Sequence, residues 1–184
     1  MTLARADDSV LVIVDIQDKL APAMLPDARR EVLTGAGVLL QAAGELGVPV
    51  IATEQYPQGL GPTVEEVSAH FPEGAQVVAK DSFSCCGEGG FTDALAATGR
   101  SQVVLAGMEA HVCVLQTAIQ LREAGYTPFV AGDGVCSRRR EHKANALERL
   151  GRNGVAVANV ESVLFEWLQR AGTDSFKRLA RLIR

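Results

Sequence analysis

Three apolar runs of strand length end on groups that could act on one another. Residues 9–14 (Ser-Val-Leu-Val-Ile-Val) hand over to Asp15, and residues 76–80 end on Lys80. Residues 102–106 lead through a turn at 107–110 to Cys113. A thiol, a carboxylate to take its proton and a cation to hold the resulting charge are the parts of nucleophilic catalysis. Each residue taken alone has a plainer use: Asp15 as a cap, Lys80 as a solvated strand end, Cys113 as a buried helix residue. Together at one edge they form a candidate site. A cysteine in the first turn of a helix also feels free backbone N–H groups and the positive end of the helix dipole. Such placements draw a thiol pKa from ~8.5 towards ~3.5–7.5. The expectation is therefore a Cys113 that is mostly thiolate at neutral pH and titrates jointly with Asp15. Cys85, Cys86 and Cys136 lack this convergence and are expected to behave as ordinary thiols.

For these groups to meet, the strands that carry them must lie side by side. Six short apolar runs recur along the chain, at 9–14, 48–53, 76–80, 102–106, 127–131 and 155–158. The apolarity of 9–14 is continuous rather than alternating, which marks a strand buried on both faces, as in a parallel sheet. Helical patterns fall between and after the six runs at 27–46, 64–70, 92–98 (with Thr92 as N-cap), 111–124, 141–151, 162–171 and 174–183. Residues 55–63 and 81–90 read as loops from their glycines and prolines. The pattern predicts an α/β fold: one three-layer α/β/α, Rossmann-like domain over residues 1–184 around a six-stranded, mostly parallel sheet. In such sheets ligands bind beyond the carboxyl ends of the strands, near the switch in strand order. Asp15, Lys80 and the Cys113 helix all belong to that edge.

Composition narrows the function. The chain has 184 residues, 47% apolar and 22% charged, the balance of a compact globule. A net charge of −4 opposes nucleic-acid binding, which needs a field attractive to phosphate. No uncharged apolar run approaches the ~18–20 residues of a membrane span, and the first residues lack the apolar core of a signal peptide. The expectation is a soluble, cytoplasmic protein with a small-molecule substrate, and neither nucleic acid nor membrane as partner. Four cysteines in a chain of this length are no disulfide framework. No Cys-x-x-Cys is present, and His70, His111 and His142 form no ligand set, so neither metal nor cofactor is expected. There is no P-loop, no Gly-x-Gly-x-x-Gly after the first strand and no Gly-x-Ser-x-Gly elbow. The glycines at 87–90 read as a flexible loop over the site. The basic runs 138–140 and 177–184 read as solvated faces, and Tyr56, Phe83 and Phe91 are the aromatics nearest the expected cleft.

Five separated segments, in order, resemble one family. They are Val-Asp15-Ile-Gln, Thr53-Glu-Gln-Tyr-Pro-Gln-Gly-Leu-Gly-Pro-Thr, Lys80, Ala106-Gly-Met-Glu-Ala-His-Val-Cys113-Val and Asp133-Gly-Val-Cys-Ser-Arg138. The chain resembles the isochorismatase-like cysteine hydrolases from end to end. The resemblance implies a catalytic triad of Asp15, Lys80 and Cys113, and an oxyanion hole from the backbone N–H groups of Glu109 and Cys113. It also implies a cis bond between Met108 and Glu109, C–N cleavage through a thioester, and a homo-oligomer. Isochorismatases proper lack the cysteine, so Cys113 argues against isochorismate as substrate. Nicotinamidases carry an Asp-x-His metal pair where this chain reads Thr53-Glu54-Gln55-Tyr56. The wording is most similar to a short, metal-independent branch with undefined substrates. Glu54, Gln55 and Phe83 are candidate substrate contacts, with a structural loop role open for the first two. A non-catalytic binding protein is one alternative. A redox protein with Cys113 as peroxidatic thiol and Cys85 or Cys86 resolving is another. A second ground for assembly is the tail at 176–183, whose apolar positions a monomer would leave exposed.

Overall fold

The computed structural model describes residues 2–183; Met1 and Arg184, the last residue of the basic tail, lie outside them. The strands are β1 (Ser9–Val14), β2 (Val50–Gln55), β3 (Gln76–Lys80), β4 (Gln102–Met108), β5 (Thr127–Cys136) and β6 (Ala156–Ala158). They form one sheet in the order β3-β2-β1-β4-β5-β6, with every neighbouring pair parallel. The helices are α1 (Pro26–Leu46), α2 (Pro57–Leu60), α3 (Glu65–Ser68), α4 (Gly89–Ala97), α5 (Leu115–Glu123), α6 (Arg140–Arg152), α7 (Val160–Leu168) and α8 (Asp174–Leu179).

The continuous apolarity of β1 has the cause expected of it. Along β1, Leu11 and Ile13 enter one core with α1, α7 and α8, while Val10, Val12 and Val14 enter a second core with α4, α5 and α6. Strand order reverses between β1 and β4, so the ends of these two strands open the crevice where a ligand can enter. At that point the backbones crowd. Gly107 in β4 has φ +129°, and a Cβ there would lie 2.0 Å from the Val14 carbonyl oxygen. Only glycine allows β4 to approach the end of β1 so closely.

Several boundaries differ from the sequence expectation, each for a local reason. β2 starts at Val50 because the Val48 N–H closes α1 onto Ala43 O and Pro49 has no N–H to give. It runs on to Gln55 because Glu54 and Gln55 pair with Ala79 and Lys80. β5 continues past 131 through Gly132 and Gly134, with a register irregularity against β4 between Leu105 and Gly107. α4 starts at Gly89, so the glycines at 89–90 begin a helix rather than a flexible loop. Thr92 does not cap it: its hydroxyl donates back to the Glu88 and Gly89 carbonyls. The tail also packs on its own chain. Leu179 is buried, Phe176, Leu182 and Ile183 lie against the core, and Arg178 pairs with Glu45. That removes the exposed apolar face from which assembly was expected. Among the described residues, no helix is long and apolar enough to cross a membrane.

Candidate active site

β1 ends in a sharp turn. Asp15 has a left-handed φ of +50°, its N–H donates to Thr53 O at 3.1 Å, and its carbonyl accepts from Gln17 N. The carboxylate that results is wholly buried, and its Oδ1 accepts from the Thr53 hydroxyl at 2.8 Å. Lys80 reaches it from β3. Those strands flank β2, roughly 10 Å apart at the usual spacing, a gap that the long lysine stem crosses. Its Nζ stands 2.8 Å from Asp15 Oδ2, and neither side chain is accessible to solvent. The same ammonium donates to Gln55 Oε1 (2.6 Å), Phe83 O (3.1 Å) and Ser82 O (3.2 Å). Glu88 fixes the loop that offers those carbonyls, its Oε1 accepting from the N–H groups of Asp81 and Ser82 and from the Ser82 hydroxyl.

Cys113 lies in a π turn, Ala110–Val114, that runs directly into α5. It is 6% exposed, and burial pushes its thiol up to about 12, with the charge of Asp15 raising it further and Lys80 opposing. This corrects the expectation of a resting thiolate. Desolvation and the carboxylate together outweigh the ammonium, so the proton stays on sulfur until a base removes it.

Cys85 is a second correction. The sequence expects an ordinary thiol there, or in the redox alternative a partner of Cys113, yet burial pushes Cys85 up to about 11; its Sγ lies 3.8 Å from Thr53 Oγ1, and its N–H donates to Thr117 Oγ1, one helical turn beyond Cys113. It therefore belongs to the same buried cluster. No sequence signal places it there, because its position depends on how the loop after β3 folds back. Thr53 was likewise legible only as part of a motif.

The other candidates divide. Glu54 points away from Lys80 and accepts from the Thr63 N–H (2.7 Å) and hydroxyl (2.9 Å). Gln55 holds Lys80 and Asp81 O, while Gln17 brackets its backbone. Phe83 is 57% exposed and Tyr56 55%, the latter with its ring laid over Gly59. Phe91 is fully buried in the core beneath α4, not in a cleft. Arg138 is no purely solvated residue: its N–H and Nε bind the buried Glu109 carboxylate at 3.0–3.2 Å. His111, whose pKa burial lowers, meets Ser137 Oγ at 2.9 Å. These contacts tie the π turn to the end of β5, and the Met108–Glu109 peptide bond before it is cis. Among the described residues, no three His, Cys, Asp or Glu side chains are arranged to hold a metal ion.

Residues 9–162 match the family described as Isochorismatase domain. Isochorismatase domain-containing protein 2 of Danio rerio is 38% identical over 175 residues, which span 95% of this chain and 86% of the relative. The solved structure of MAR1 ribonuclease from Caenorhabditis elegans superposes with a TM-score of 0.92 at 32% identity, covering 99% of this chain and 92% of that one. The ycaC gene product of Escherichia coli, described as an octameric hydrolase of unknown specificity, shares the fold with a TM-score of 0.88 at 24% identity. There the coverage is 99% of this chain and 91% of that one.

The buried thiols set an alkaline limit on stability. Burial pushes Cys85 up to about 11, and Cys113 and Cys136 up to about 12, from an ordinary 9.0. Above pH 9 the unfolded chain releases thiol protons that the folded protein retains. Their contribution is therefore complete below pH 9 and lost as pH climbs through the folded values. Urea unfolding between pH 9 and 11 should show stability falling, and Cys136→Ala should reduce the slope by about 1 kcal/mol per pH unit. An unchanged slope would contradict the burial of that thiol.

Proposed function

The chain belongs to the isochorismatase family, and we propose that it is a cysteine-dependent hydrolase that cleaves the C–N bond of a small amide- or urea-like substrate. One observation carries this reading. A fully buried carboxylate lies 2.8 Å from an ammonium, and the charges of both bear on the buried Cys113 thiol. Asp15 takes the proton of Cys113, and the thiolate attacks the substrate carbonyl carbon. The oxyanion rests on the N–H groups of Glu109 and Cys113. Asp15 returns the proton to the leaving nitrogen as the C–N bond breaks. It then draws a proton from the water that hydrolyses the thioester and passes it to the departing Cys113 sulfur, restoring the starting pair. Lys80 keeps a positive charge beside the pair at each stage.

The substrate enters past Phe83, the exposed aromatic on the loop that cages Lys80. Glu54 and Gln55 support this entrance from behind, through Thr63 and Lys80. No metal is needed in this scheme, since the stretch at 53–56 commits Thr53 and Gln55 to Asp15 and Lys80. A thiol pushed up to about 12 suits base-assisted hydrolysis better than a peroxidatic centre, which needs a standing thiolate. Free cysteines suit a reducing compartment, and we place the enzyme in the cytoplasm.

Ammonia release from a panel of small amides and ureas tests this reading. The protein should turn over at least one of them, and Cys113→Ala and Asp15→Asn should each lose about 10³-fold or more in kcat. Full turnover by a folded Cys113→Ala protein would refute it. Assembly is part of the proposal, prompted by the octamer described for the Escherichia coli relative. Light scattering should give a mass of several chains, and the mass of one chain would remove it.

A further inference from the structure

The two oxygens of Asp15 have different surroundings. Oδ1 accepts from Thr53 Oγ1 at 2.8 Å, and Thr53 Oγ1 accepts in turn from the Cys85 S–H at 3.8 Å. A hydroxyl has a single proton, so a donor on its oxygen turns that proton towards Asp15. Burial keeps Cys85 protonated, pushed up to about 11, and hence a donor. Oδ2 lies 2.8 Å from Lys80 Nζ, yet among the described residues it receives no directed hydrogen bond. The reason is the valence of the ammonium. It has three protons, and Gln55 Oε1, Ser82 O and Phe83 O accept them. The Gln55 amide cannot turn away, because its Nε2 donates to Asp81 O at 2.8 Å. Thr53 and Gln55 stand two residues apart on β2, hence on one face of the strand, and Glu54 between them faces Thr63.

We propose that Thr53 and Gln55 are positioning residues that set, in opposite directions, how readily the Asp15 carboxylate takes the proton of Cys113. Thr53 donates to Oδ1 and so stabilises the carboxylate. Gln55 accepts a Lys80 proton that would otherwise turn to Oδ2, which keeps the positive charge beside the carboxylate with one directed bond fewer on it. The step it serves is balanced: the S–H bond of Cys113 breaks, an O–H bond forms on the Asp15 carboxylate, and the negative charge passes from carboxylate to sulfur. This inference rests on the hydrolase reading and extends it to residues that do not touch the substrate. The titratable groups that bear on the site are Lys80, Cys113 and Cys85, with Glu88 acting on Lys80 from the loop.

The test follows alkylation of Cys113 by iodoacetamide against pH, with the labelled site identified by peptide mass. Reaction should fall away in acid. Gln55→Leu frees a Lys80 proton for Oδ2 and should move the midpoint of that acid limb down by about one pH unit. Thr53→Val removes the donor on Oδ1 and should move it up by a similar amount, while Thr53→Ser keeps the wild-type midpoint. Opposed shifts are not what loosened packing would produce. If Gln55→Leu does not fold, Gln55→Met removes the same acceptor. Midpoints that stay put, or move the same way in both variants, overturn the proposal. Asp15→Asn separates the two levels. It should abolish the acid limb, and a wild-type profile in that variant would overturn the hydrolase reading along with this one.

Discussion

The buried ion pair between Lys80 and Asp15 is the constraint around which the rest of the molecule is arranged. Each charge loses several kcal/mol of hydration on burial, and mutual attraction compensates only when the remaining donors and acceptors are also satisfied. The fold meets that condition for the ammonium and for Asp15 Oδ1, from β2 and from the loop after β3. Thr53 on β2 donates to the carboxylate, Gln55 on β2 accepts from the ammonium, and the loop after β3 turns two carbonyls onto it. Those partners come from adjacent strands, so the pair depends on the parallel order β3-β2-β1. Gly107 completes the arrangement by letting β4 close against the end of β1, just before the turn that carries Cys113.

The site is therefore poised rather than charged. Burial and the Asp15 charge both raise the Cys113 thiol, with Lys80 opposing. A standing thiolate would place a second negative charge beside Asp15, with only Lys80 to balance both. Around this centre a second buried carboxylate, Glu109, is neutralised by Arg138 and anchors the turn that carries the cysteine. The two ionic contacts sit on either side of the turn that carries Cys113: one joins the ends of β1 and β3, the other ties that turn to the end of β5.

Much of this was legible in the sequence. The continuous apolarity of 9–14 gave away a strand buried on both faces, and the ends of 9–14 and 102–106 pointed to Asp15 and Cys113. Lys80 followed from the same rule at the end of 76–80. What stayed hidden depended on long-range packing. Cys85 joins the site only because the loop after β3 folds onto Thr117 and Thr53, and no periodicity encodes that fold. The hold of Gln55 on Lys80 was equally hidden, because position alone cannot tell which neighbour an amide faces. The direction of the Cys113 titration was misjudged for a related reason. Helix position and Lys80 can be read from spacing, but the depth of burial that outweighs them cannot. The glycines at 89–90, read as loop, begin a helix, and the strand expected to end at 131 runs on through Gly132 and Gly134.

The most direct test of the account is a double-mutant cycle on the pair itself, followed by urea unfolding at neutral pH. Lys80→Met and Asp15→Leu should each lose about 3–5 kcal/mol, since each strands one buried charge. The double variant removes both charges, and its loss should fall short of the sum of the two by at least about 2 kcal/mol. Losses that add to within about 0.5 kcal/mol would mean that the two groups do not depend on each other, and the central claim would fail.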